Sequence, residues 1–425
     1  MLNAQNTYFE NHSDVVDIRS KMISSTVPSS NESIDAIIEK SLHMIRTHLD
    51  MEIGFIARFA DNKRIFEYID SDDVNCPINV GDSDPLNESY CYLIAEGKLE
   101  EVIPDVQQNE LAKSLTVTDK LHIGSYIGAP IALSNGDLYG SFCCFSTEQD
   151  ASLRERDAST LKMFAHFISE QIEPIVLKKE KHESIINRIE SVIANEEFSI
   201  VYQPVFHTVQ NTFIGFESLT RFSAEPVRTP DIWFNEATEY GVGEQLEIAV
   251  IKKALLILEK IPEDRYLTLN VSPENVVNGA ISKVLESVDL NRIVLEITEH
   301  ASIPDYYALN RLLTPLRNRG MRVAVDDAGA GYASFLHILQ LNPDIIKLDI
   351  SITRDIHIDT ARRSLAAALI AFASETGSAI IAEGVEKEEE LSVLKQLGVK
   401  KVQGYLTGKP MPENDAIALF SKLTA

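Results

Sequence analysis

The sequence has little positive charge. Its 425 residues include 39 Lys and Arg against 64 Asp and Glu, which gives a formal net charge of −25. Proteins that hold DNA or an anionic membrane with a basic surface carry the opposite balance. We therefore expect neither DNA nor a membrane as a partner. An anionic small molecule is compatible with this charge where metal ions supply positive charge locally.

The sequence also lacks long apolar segments. No run approaches the roughly 20 apolar residues that a membrane-spanning helix requires. Residues 1–29 are polar and rich in Ser and Asn, so we expect them to be irregular. They contain no apolar stretch of the kind found in secretory signals, and the expected location of the protein is the cytoplasm.

Cysteine is scarce. The four residues Cys76, Cys91, Cys143 and Cys144 lie in the first half of the chain, and their spacing matches no zinc-binding pattern. We expect reduced thiols that pack in the interior of a cytosolic protein. Cys143 and Cys144 would face opposite sides of a sheet if they lie in a strand.

Residues 30–173 predict an α+β domain with an antiparallel sheet. A helix begins near Ser30, and two pairs of apolar runs joined by polar turns indicate hairpins. The second hairpin contains Asn135-Gly136, a dipeptide typical of tight turns in which both residues take positive φ.

Residues 174–189 predict a helical connector. The helix before this segment is expected to end near Pro174, because proline lacks the amide donor and kinks or breaks a helix. Helical spacing of apolar residues resumes after a charged stretch. Both a kinked signalling helix and a plain tether fit this pattern.

Residues 190–425 alternate short β-rich runs with longer helical stretches. Such repeated units predict a closed parallel barrel or a doubly wound sheet. The first strand is not followed by a Gly-x-Gly-x-x-Gly loop, which disfavours a dinucleotide cofactor.

Polar side chains follow seven successive strands of this region. They are Glu217, Asn270, Glu296, the pair Asp326-Asp327, Lys347, Glu383 and Gln403. The carboxyl ends of the strands of such a barrel meet at one mouth, where active-site groups lie. We therefore expect these side chains to converge.

Convergence of five carboxylates requires cations, because like charges at short range raise each other's pKa. Oxygen ligands favour Mg²⁺ or Mn²⁺ over zinc, and the adjacent pair Asp326-Asp327 could bridge two ions. Lys347, the lone cation of the set, would hold or deprotonate a water. The pattern indicates metal-assisted hydrolysis of a phosphoester.

Eight motifs of residues 190–425 resemble those of the EAL family of cyclic di-GMP phosphodiesterases. They are Tyr202-Gln-Pro-Val, Gly215-Phe-Glu-Ser-Leu-Thr-Arg221, Leu269-Asn-Val-Ser272, Leu295-Glu-Ile-Thr-Glu299, Val325-Asp-Asp-Ala-Gly-Ala-Gly-Tyr332, Ile346-Lys-Leu-Asp349, Ala382-Glu-Gly-Val-Glu386 and Val402-Gln-Gly-Tyr405. The resemblance implies a modified (βα)8 barrel that hydrolyses cyclic di-GMP to linear pGpG with two Mg²⁺ or Mn²⁺ ions. It also implies a homodimer formed through the barrel.

The resemblance assigns roles to individual residues. It implies that Glu217, Asn270, Glu296 and Asp326 hold one metal ion, and that Asp326, Asp327 and Glu383 hold the other. Lys347 and Gln403 would address the attacking water, and Glu299 and Glu386 would support the site. The implied substrate contacts are Gln203, Leu219, Arg221 and Asp349. A guanidinium such as that of Arg221 also suits phosphate or a guanine edge on general grounds.

Residues 30–173 resemble a GAF sensory domain. The resemblance lies in Tyr90-Cys-Tyr-Leu-Ile-Ala-Glu-Gly-Lys, Ile103-Pro-Asp105, Gly124-Ser-Tyr-Ile-Gly-Ala-Pro-Ile131 and Gly136-Asp-Leu-Tyr-Gly-Ser-Phe-Cys143. It implies regulation of the barrel by this domain, and the candidate ligands of the domain are a cyclic nucleotide, another small metabolite, a tetrapyrrole or none.

The barrel region departs from the family pattern in the loop after the Asp pair. Ala328 and Ala330 replace a Phe and a Thr of the usual loop, which removes a packing anchor and a hydroxyl group. The leading hypothesis is an active, GAF-regulated phosphodiesterase. The alternatives are a weak or inactive EAL domain that acts as a cyclic di-GMP receptor, and a scaffold that binds a protein partner.

Overall fold

The computed structural model describes residues 33–297, 303–328 and 332–421. Three predictions concern residues outside the described ranges: the irregular segment 1–29, the supporting role of Glu299 and the altered loop residue Ala330. Residues up to Lys181 and residues from His182 form two compact units. Across the described ranges, every helix is too short or too polar to cross a membrane.

The first unit contains a six-stranded antiparallel sheet with the strand order β3-β2-β1-β6-β5-β4. Its strands are β1 (Ile53–Ala60), β2 (Lys63–Ser71), β3 (Ser83–Pro85), β4 (Val102–Ile103), β5 (Ser125–Ala132) and β6 (Leu138–Ser146). Its helices are α1 (Ile34–His48), α2 (Tyr90–Ala95), α3 (Glu110–Ser114), α4 (Thr116–Leu121) and the first part of α5 (Glu155–Ala194). The predicted α+β architecture with an antiparallel sheet is confirmed.

The start of α1 follows from its sequence. The Ser33 hydroxyl accepts the Ala36 N–H at 3.2 Å, which satisfies one donor of the first turn. Ile38, Leu42 and Ile45 recur at helical spacing and are buried against the sheet.

The β5–β6 hairpin is present, but its turn differs from the prediction. Only Gly136 of the Asn135-Gly136 pair takes a positive φ, of 89°. The Leu133 N–H donates to the Asp137 carbonyl at 2.8 Å, so the loop spans more residues than a two-residue turn. The Asn135 side chain accepts the Asp137 N–H at 2.9 Å, and this local bond replaces the tighter geometry.

The two faces of the sheet carry separate apolar cores. Cys143 packs with Cys91 and Tyr126 beneath α2, whereas Cys144 packs with Phe142 on the side of α1 and α5. The predicted alternation of Cys143 and Cys144 is confirmed, and all four cysteines are free thiols.

Helix α5 runs from Glu155 to Ala194 with Pro174 inside it, so the prediction that a helix ends near Pro174 is wrong. A proline removes one main-chain hydrogen bond and costs roughly 3 kcal/mol in a helix interior. Both flanks are fixed by packing, since Ile168 and Ile189 are fully buried in the cores of their own units. That burial outweighs the local cost.

The second unit contains an eight-stranded closed barrel. Its strands are β7 (Phe198–His207), β8 (Thr212–Phe222), β9 (Tyr266–Asn270), β10 (Ile293–Ile297), β11 (Arg322–Ala328), β12 (Ile345–Leu348), β13 (Ala379–Ala382) and β14 (Lys401–Val402), with β15 (Met411–Pro412) beside β7. Its helices are α6 (Pro230–Glu239), α7 (Gly243–Leu255), α8 (Pro273–Val277), α9 (Ala280–Val284), α10 (Tyr306–Asn318), α11 (Tyr332–Leu341), α12 (Ile350–Thr353), α13 (Thr360–Thr376), α14 (Glu388–Gln396) and α15 (Glu413–Ser421).

The barrel is a variant of the all-parallel form. Strands β8 to β14 pair in parallel, whereas β7 pairs antiparallel with both β8 and β14 and thereby closes the barrel. This decides between the two architectures that the strand–helix pattern allowed. The predicted modified (βα)8 barrel is confirmed.

Candidate metal centre

The structure brings the polar strand-end residues together at one mouth of the barrel. Side chains two residues apart on a strand face the same side, and each of these residues except Asp327 continues the inward-facing positions of its strand. Glu296, Lys347 and Gln403 are at most 3% exposed. Such buried charges persist only where partners or ions compensate them.

Lys347 is the centre of this cluster. Its Nζ lies 2.6 Å from Glu296 Oε1, 2.8 Å from Glu383 Oε1, 3.1 Å from Asp326 Oδ1 and 3.4 Å from Glu217 Oε2. Burial alone would lower the pKa of Lys347, but these carboxylates, Asp326 foremost, raise it well above its usual value. In the surroundings that the protein provides, Lys347 is therefore protonated, and its ammonium group donates hydrogen bonds.

The carboxylates around Lys347 are not fully compensated. Burial, followed by the charge of Asp326, raises the pKa of Glu296 well above its usual value. Burial likewise raises the pKa of Glu383, against the opposing charge of Lys347. Asp326 differs, because Lys347 lowers its pKa despite burial.

Amide side chains hold Glu217 from the other side. Gln403 Nε2 donates to Glu217 Oε2, and Asn270 Nδ2 donates to Glu217 Oε1 at 3.4 Å. Gln403 Nε2 also lies 3.1 Å from Gln203 Oε1, so residues from four strands and strand ends form one network. Gln203, which the sequence analysis placed at the substrate, therefore touches the metal set.

The adjacent acids Asp326 and Asp327 reach the same mouth by a backbone irregularity. Neighbouring residues of a regular strand point to opposite faces. Here the pairing of β11 with β12 shifts between Val325 and Ala328, and Asp327 takes a φ of +53°. As a result, oxygens of Asp326, Asp327 and Glu383 lie within 4.8 Å of one another.

The donor set fits divalent metal ions. Glu296 Oε2 is buried without a hydrogen-bond donor among the described residues, and the buried Asp326 Oδ1 has only its ion pair with Lys347, at 3.1 Å. A single ammonium cannot satisfy four surrounding carboxylates, and unpaired buried oxygens are costly. Carboxylate and amide oxygens are the ligands that Mg²⁺ and Mn²⁺ prefer.

Two further features position Glu383. Thr353 is fully buried and its hydroxyl donates to the Glu383 carbonyl. Gly384, which follows, takes a φ of +62°, and a Cβ there would lie 2.2 Å from Ile350 Cγ1. Only glycine fits this close approach without displacing α12.

Other predicted site residues lie farther out. The Arg221 guanidinium is exposed on β8, where it donates to the Thr220 carbonyl at 2.7 Å. Leu219 is half-buried and lies midway between Glu217 and Arg221 on β8. Asp349 caps α12 by accepting the Ser351 N–H at 2.9 Å.

Glu386 is not part of the hydrogen-bonded cluster. Its carboxylate pairs with Arg354 at 3.2 Å, and both side chains are substantially exposed. Ala328 is fully buried at the end of β11, whereas Glu299 and Ala330 are outside the described residues.

Glu247, which lies on α7, supports the site but was not predicted from the sequence. Its carboxylate accepts the Ser272 N–H at 3.1 Å and so holds the segment after Asn270. Burial raises the pKa of Glu247 despite that hydrogen bond. In the sequence, Glu247 resembles any polar residue at the start of an amphipathic helix, which carries no signal for this contact.

Family models match both units. The EAL domain model matches residues 186–410, and the GAF domain model matches residues 33–172. Cyclic di-GMP phosphodiesterase PdeF of Escherichia coli is 27% identical over 246 residues, which are 55% of this chain and 32% of PdeF. Cyclic di-GMP phosphodiesterase PA2567 of Pseudomonas aeruginosa is 29% identical over 258 residues, which are 56% of this chain and 43% of that protein. The matched part is thus less than half of either relative.

A solved structure supports the fold. The EAL enzyme Bd1971, in a form bound to cAMP and cyclic di-GMP, has 18% sequence identity and a TM-score of 0.52, and it covers 87% of this chain and 93% of its own. At this identity the likeness concerns the fold alone. Because the EAL model matches more than half of the chain, this protein belongs to the EAL domain family, with a GAF domain preceding the barrel.

Proposed function

We propose that the barrel hydrolyses cyclic di-GMP to linear pGpG with two Mg²⁺ or Mn²⁺ ions. The observation that carries the proposal is the mouth itself, where Asp326, Asp327 and Glu383 converge and the buried Glu296 Oε2 has no hydrogen-bond donor among the described residues. Membership in the EAL family and the names of the relatives PdeF and PA2567 support the choice of substrate.

The ligand sets follow from the same residues. Glu217, Asn270, Glu296 and Asp326 would hold one ion, and Asp326, Asp327 and Glu383 would hold the other. The bound ions would supply Lewis acidity and positive charge for attack on a phosphodiester.

The reaction breaks one P–O3′ bond. The oxygen of a water molecule forms a bond to phosphorus, and the 3′ oxygen leaves as a hydroxyl group after receiving a proton. The product retains the phosphate at a 5′ end. Lys347, as an ammonium group, would orient the water and stabilise negative charge, which favours holding a water over deprotonating it.

The substrate would be positioned by the rim of the mouth. Arg221 is exposed and has no carboxylate partner among the described residues, so its guanidinium is available for a phosphate or a guanine. Leu219 lies between Arg221 and Glu217 on β8, and Gln203 of β7 lies directly opposite Glu217. Asp349 would complete the substrate contacts.

The test is incubation of the full chain with cyclic di-GMP and Mg²⁺ or Mn²⁺, with separation of nucleotides by chromatography. We expect pGpG from the wild type and about a thousandfold less from Glu383→Gln, because a metal ligand is lost. Glu259→Gln changes an exposed carboxylate of the same unit and should retain activity. Binding of cyclic di-GMP without pGpG would instead indicate a receptor, and no binding would indicate a scaffold.

We further propose that the GAF domain binds a small molecule and regulates the barrel through residues 174–189. The support is that α5 continues without interruption across this segment. Insertion of two residues after Lys178 would rotate the helix by roughly 200°, whereas seven residues restore nearly two full turns. We expect the first insertion to change the hydrolysis rate and the second to restore it, and equal rates would contradict transmission through the helix.

We also propose that the protein forms a homodimer through the barrel. Phe335, Leu336 and Leu339 of α11 are 43%, 41% and 66% exposed, which is unusual for neighbouring large apolar residues. Leu339→Asp should shift the mass measured by light scattering towards the monomer. An unchanged mass would exclude this surface.

A further inference from the structure

A second cleft lies at the opposite end of the barrel from the metal centre. It has a volume of about 500 Å³ and lies where the parallel strands begin. Tyr266, Arg322 and Lys401 are the first residues of β9, β11 and β14, and His207 ends the antiparallel strand β7. None of these residues belongs to the metal centre.

The residues of this cleft are aligned with those of the metal centre. Residues on one strand that are two or four positions apart share a face. Arg322 is four residues before Asp326, and Lys401 is two residues before Gln403. These cations therefore face the barrel axis, below an apolar layer that includes Ala324 and Ile381.

Two of the cations in the cleft have no ion-pair partner among the described residues, although the carboxylates of Glu263 and Asp264 also line the cleft. The Arg322 guanidinium stacks 4.5 Å from the centre of the Tyr266 ring, and this is its only specific contact with a described side chain. The Lys401 ammonium forms neither a hydrogen bond nor an ion pair with any residue that the structure describes. Both side chains are only partly exposed, so water screens them incompletely.

The neighbouring cations have partners, which marks Arg322 and Lys401 as distinct. Arg292 donates to four main-chain carbonyls, among them those of Arg265 and Leu258. Arg265 pairs with Asp264 at 3.0 Å. Their charges still add to the positive potential of the cleft.

The groups in the cleft influence one another electrostatically. Burial, and then the charge of Arg322, lowers the pKa of Lys401. Burial and the charge of Lys401 lower the pKa of His207. The Tyr266 hydroxyl is buried inside the barrel, where the charges of Arg322, Lys347 and Glu296 all act on it. The feature that the cleft offers to a ligand is therefore its two cations without ion-pair partners.

We propose that this cleft binds a small molecule through a phosphate group. A phosphate dianion would offset the charges of Arg322 and Lys401, and its oxygens would accept hydrogen bonds from the Arg322 guanidinium and the Lys401 ammonium. A nucleic acid is a poor fit, because the whole chain carries a net charge of −25, which would repel an extended polyanion. The site is separate from the proposed hydrolytic centre, and its test does not depend on hydrolysis.

The test is isothermal titration of the full chain with inorganic phosphate in buffer containing EDTA, which keeps divalent ions from recruiting phosphate to the acidic mouth. We expect one saturable site for the wild type. Arg322→Gln and Lys401→Met should each weaken binding by about tenfold or more, since each removes a charge-assisted contact. Lys400→Met removes the same charge from the adjacent exposed residue and should change the affinity by less than about twofold.

Thermal unfolding of the same proteins provides a second readout. Phosphate should raise the midpoint of the wild type and of Lys400→Met but not that of Lys401→Met, which also shows whether each variant folds. Titration with ribose 5-phosphate distinguishes the two sources of the phosphate group. Tighter binding of ribose 5-phosphate than of inorganic phosphate would indicate a phosphorylated metabolite, whereas equal or weaker binding would indicate free phosphate. The proposal is overturned if phosphate shows no saturable binding, if Lys400→Met and Lys401→Met have equal effects, or if the protein binds citrate but not phosphate.

Discussion

Lys347 and Lys401 face the interior of the same barrel from opposite ends, in opposite surroundings. Lys347 lies among four carboxylates within 3.4 Å, and its pKa is raised. Lys401 lies near Arg322 without a carboxylate partner among the described residues, and its pKa is lowered. Burial acts in the same direction on both, so the neighbouring charges decide the sign of the shift.

The two ends are separated by a short apolar layer. Its members are Val205, Tyr266, Val294, Ala324, Ile345 and Ile381. On β11, Arg322 lies at one mouth, Ala324 lies in the apolar layer, and Asp326 lies at the other mouth. The change takes only four residues, because inward positions recur with a period of two. A barrel can therefore carry an acidic centre and a basic cleft on the same strands.

The largest expected effect concerns the acidic end. Asp326→Asn should reduce pGpG formation by at least about a thousandfold, or roughly 4 kcal/mol, because Asp326 belongs to both proposed ligand sets. Chromatographic initial rates measure this effect. Asp415→Asn, an exposed change of the same chemistry on α15, is the control. Equal rates in the two variants would contradict the proposed centre.

The next effect concerns stability in the presence of EDTA. Lys347→Met should lower the free energy of unfolding by about 3–5 kcal/mol, because it leaves buried carboxylates without their cation. Urea unfolding followed by circular dichroism measures the change. Mn²⁺ should restore part of the loss, whereas an unchanged midpoint in EDTA would show that Lys347 does not hold the carboxylates together.

The acidic end also predicts a pH dependence. The pKa values of Glu296 and Glu383 are raised above 4.5 in the folded protein, so their contribution to stability is fully present below pH 4.5. It is lost as the pH rises through the raised values, at about 1.4 kcal/mol per pH unit for each titrating group. Without metal ions, unfolding midpoints should therefore fall as the pH rises above 4.5.

Glu296→Gln provides the comparison for this pH dependence. Its slope should be smaller than that of the wild type, because one of the titrating groups is gone. A steeper or identical slope would assign the dependence to other residues.

The smallest effect concerns the basic end. Lys401→Met should raise the free energy of unfolding by about 0.5–1 kcal/mol at neutral pH, because an unpaired, partly buried cation is removed. Lys347→Met is expected to lower the free energy of unfolding instead. Unfolding of the two variants under the same conditions therefore tests the comparison between the two ends of the barrel directly. Destabilisation by Lys401→Met would indicate that Lys401 has a favourable partner.

Some features of the centre could be predicted from local sequence. Glu217, Asn270, Glu296 and Lys347 each follow an apolar run with strand character, and parallel strands bring such positions to one mouth. The convergence of Asp326 with Asp327 was predicted from their adjacency. Its cause, a shifted strand pairing and a positive φ at Asp327, depends on the neighbouring strand β12 and has no signal in the sequence.

Other features could not be predicted in this way. Pro174 indicated a helix end, but burial of Ile168 and Ile189 on its two sides keeps α5 continuous. The pairing of the Glu386 carboxylate with Arg354 on the surface was not predicted either, and the supporting role of Glu386 at the site stays a prediction. Both outcomes depend on contacts with residues that are distant along the chain.

The sequence by itself determined the alternation of strands and helices, the preceding α+β domain and the residue types that meet at the acidic mouth, because apolar periodicity and strand-end positions are local properties. The pairing of β7 with β8 and β14 decided that the strands close into a barrel. The tertiary structure alone decided how charges are distributed between the two mouths. A net charge of −25 concealed the basic cleft, since Arg322 and Lys401 are 79 residues apart in sequence and become neighbours of one cleft only when β14 pairs with β7 and the barrel closes.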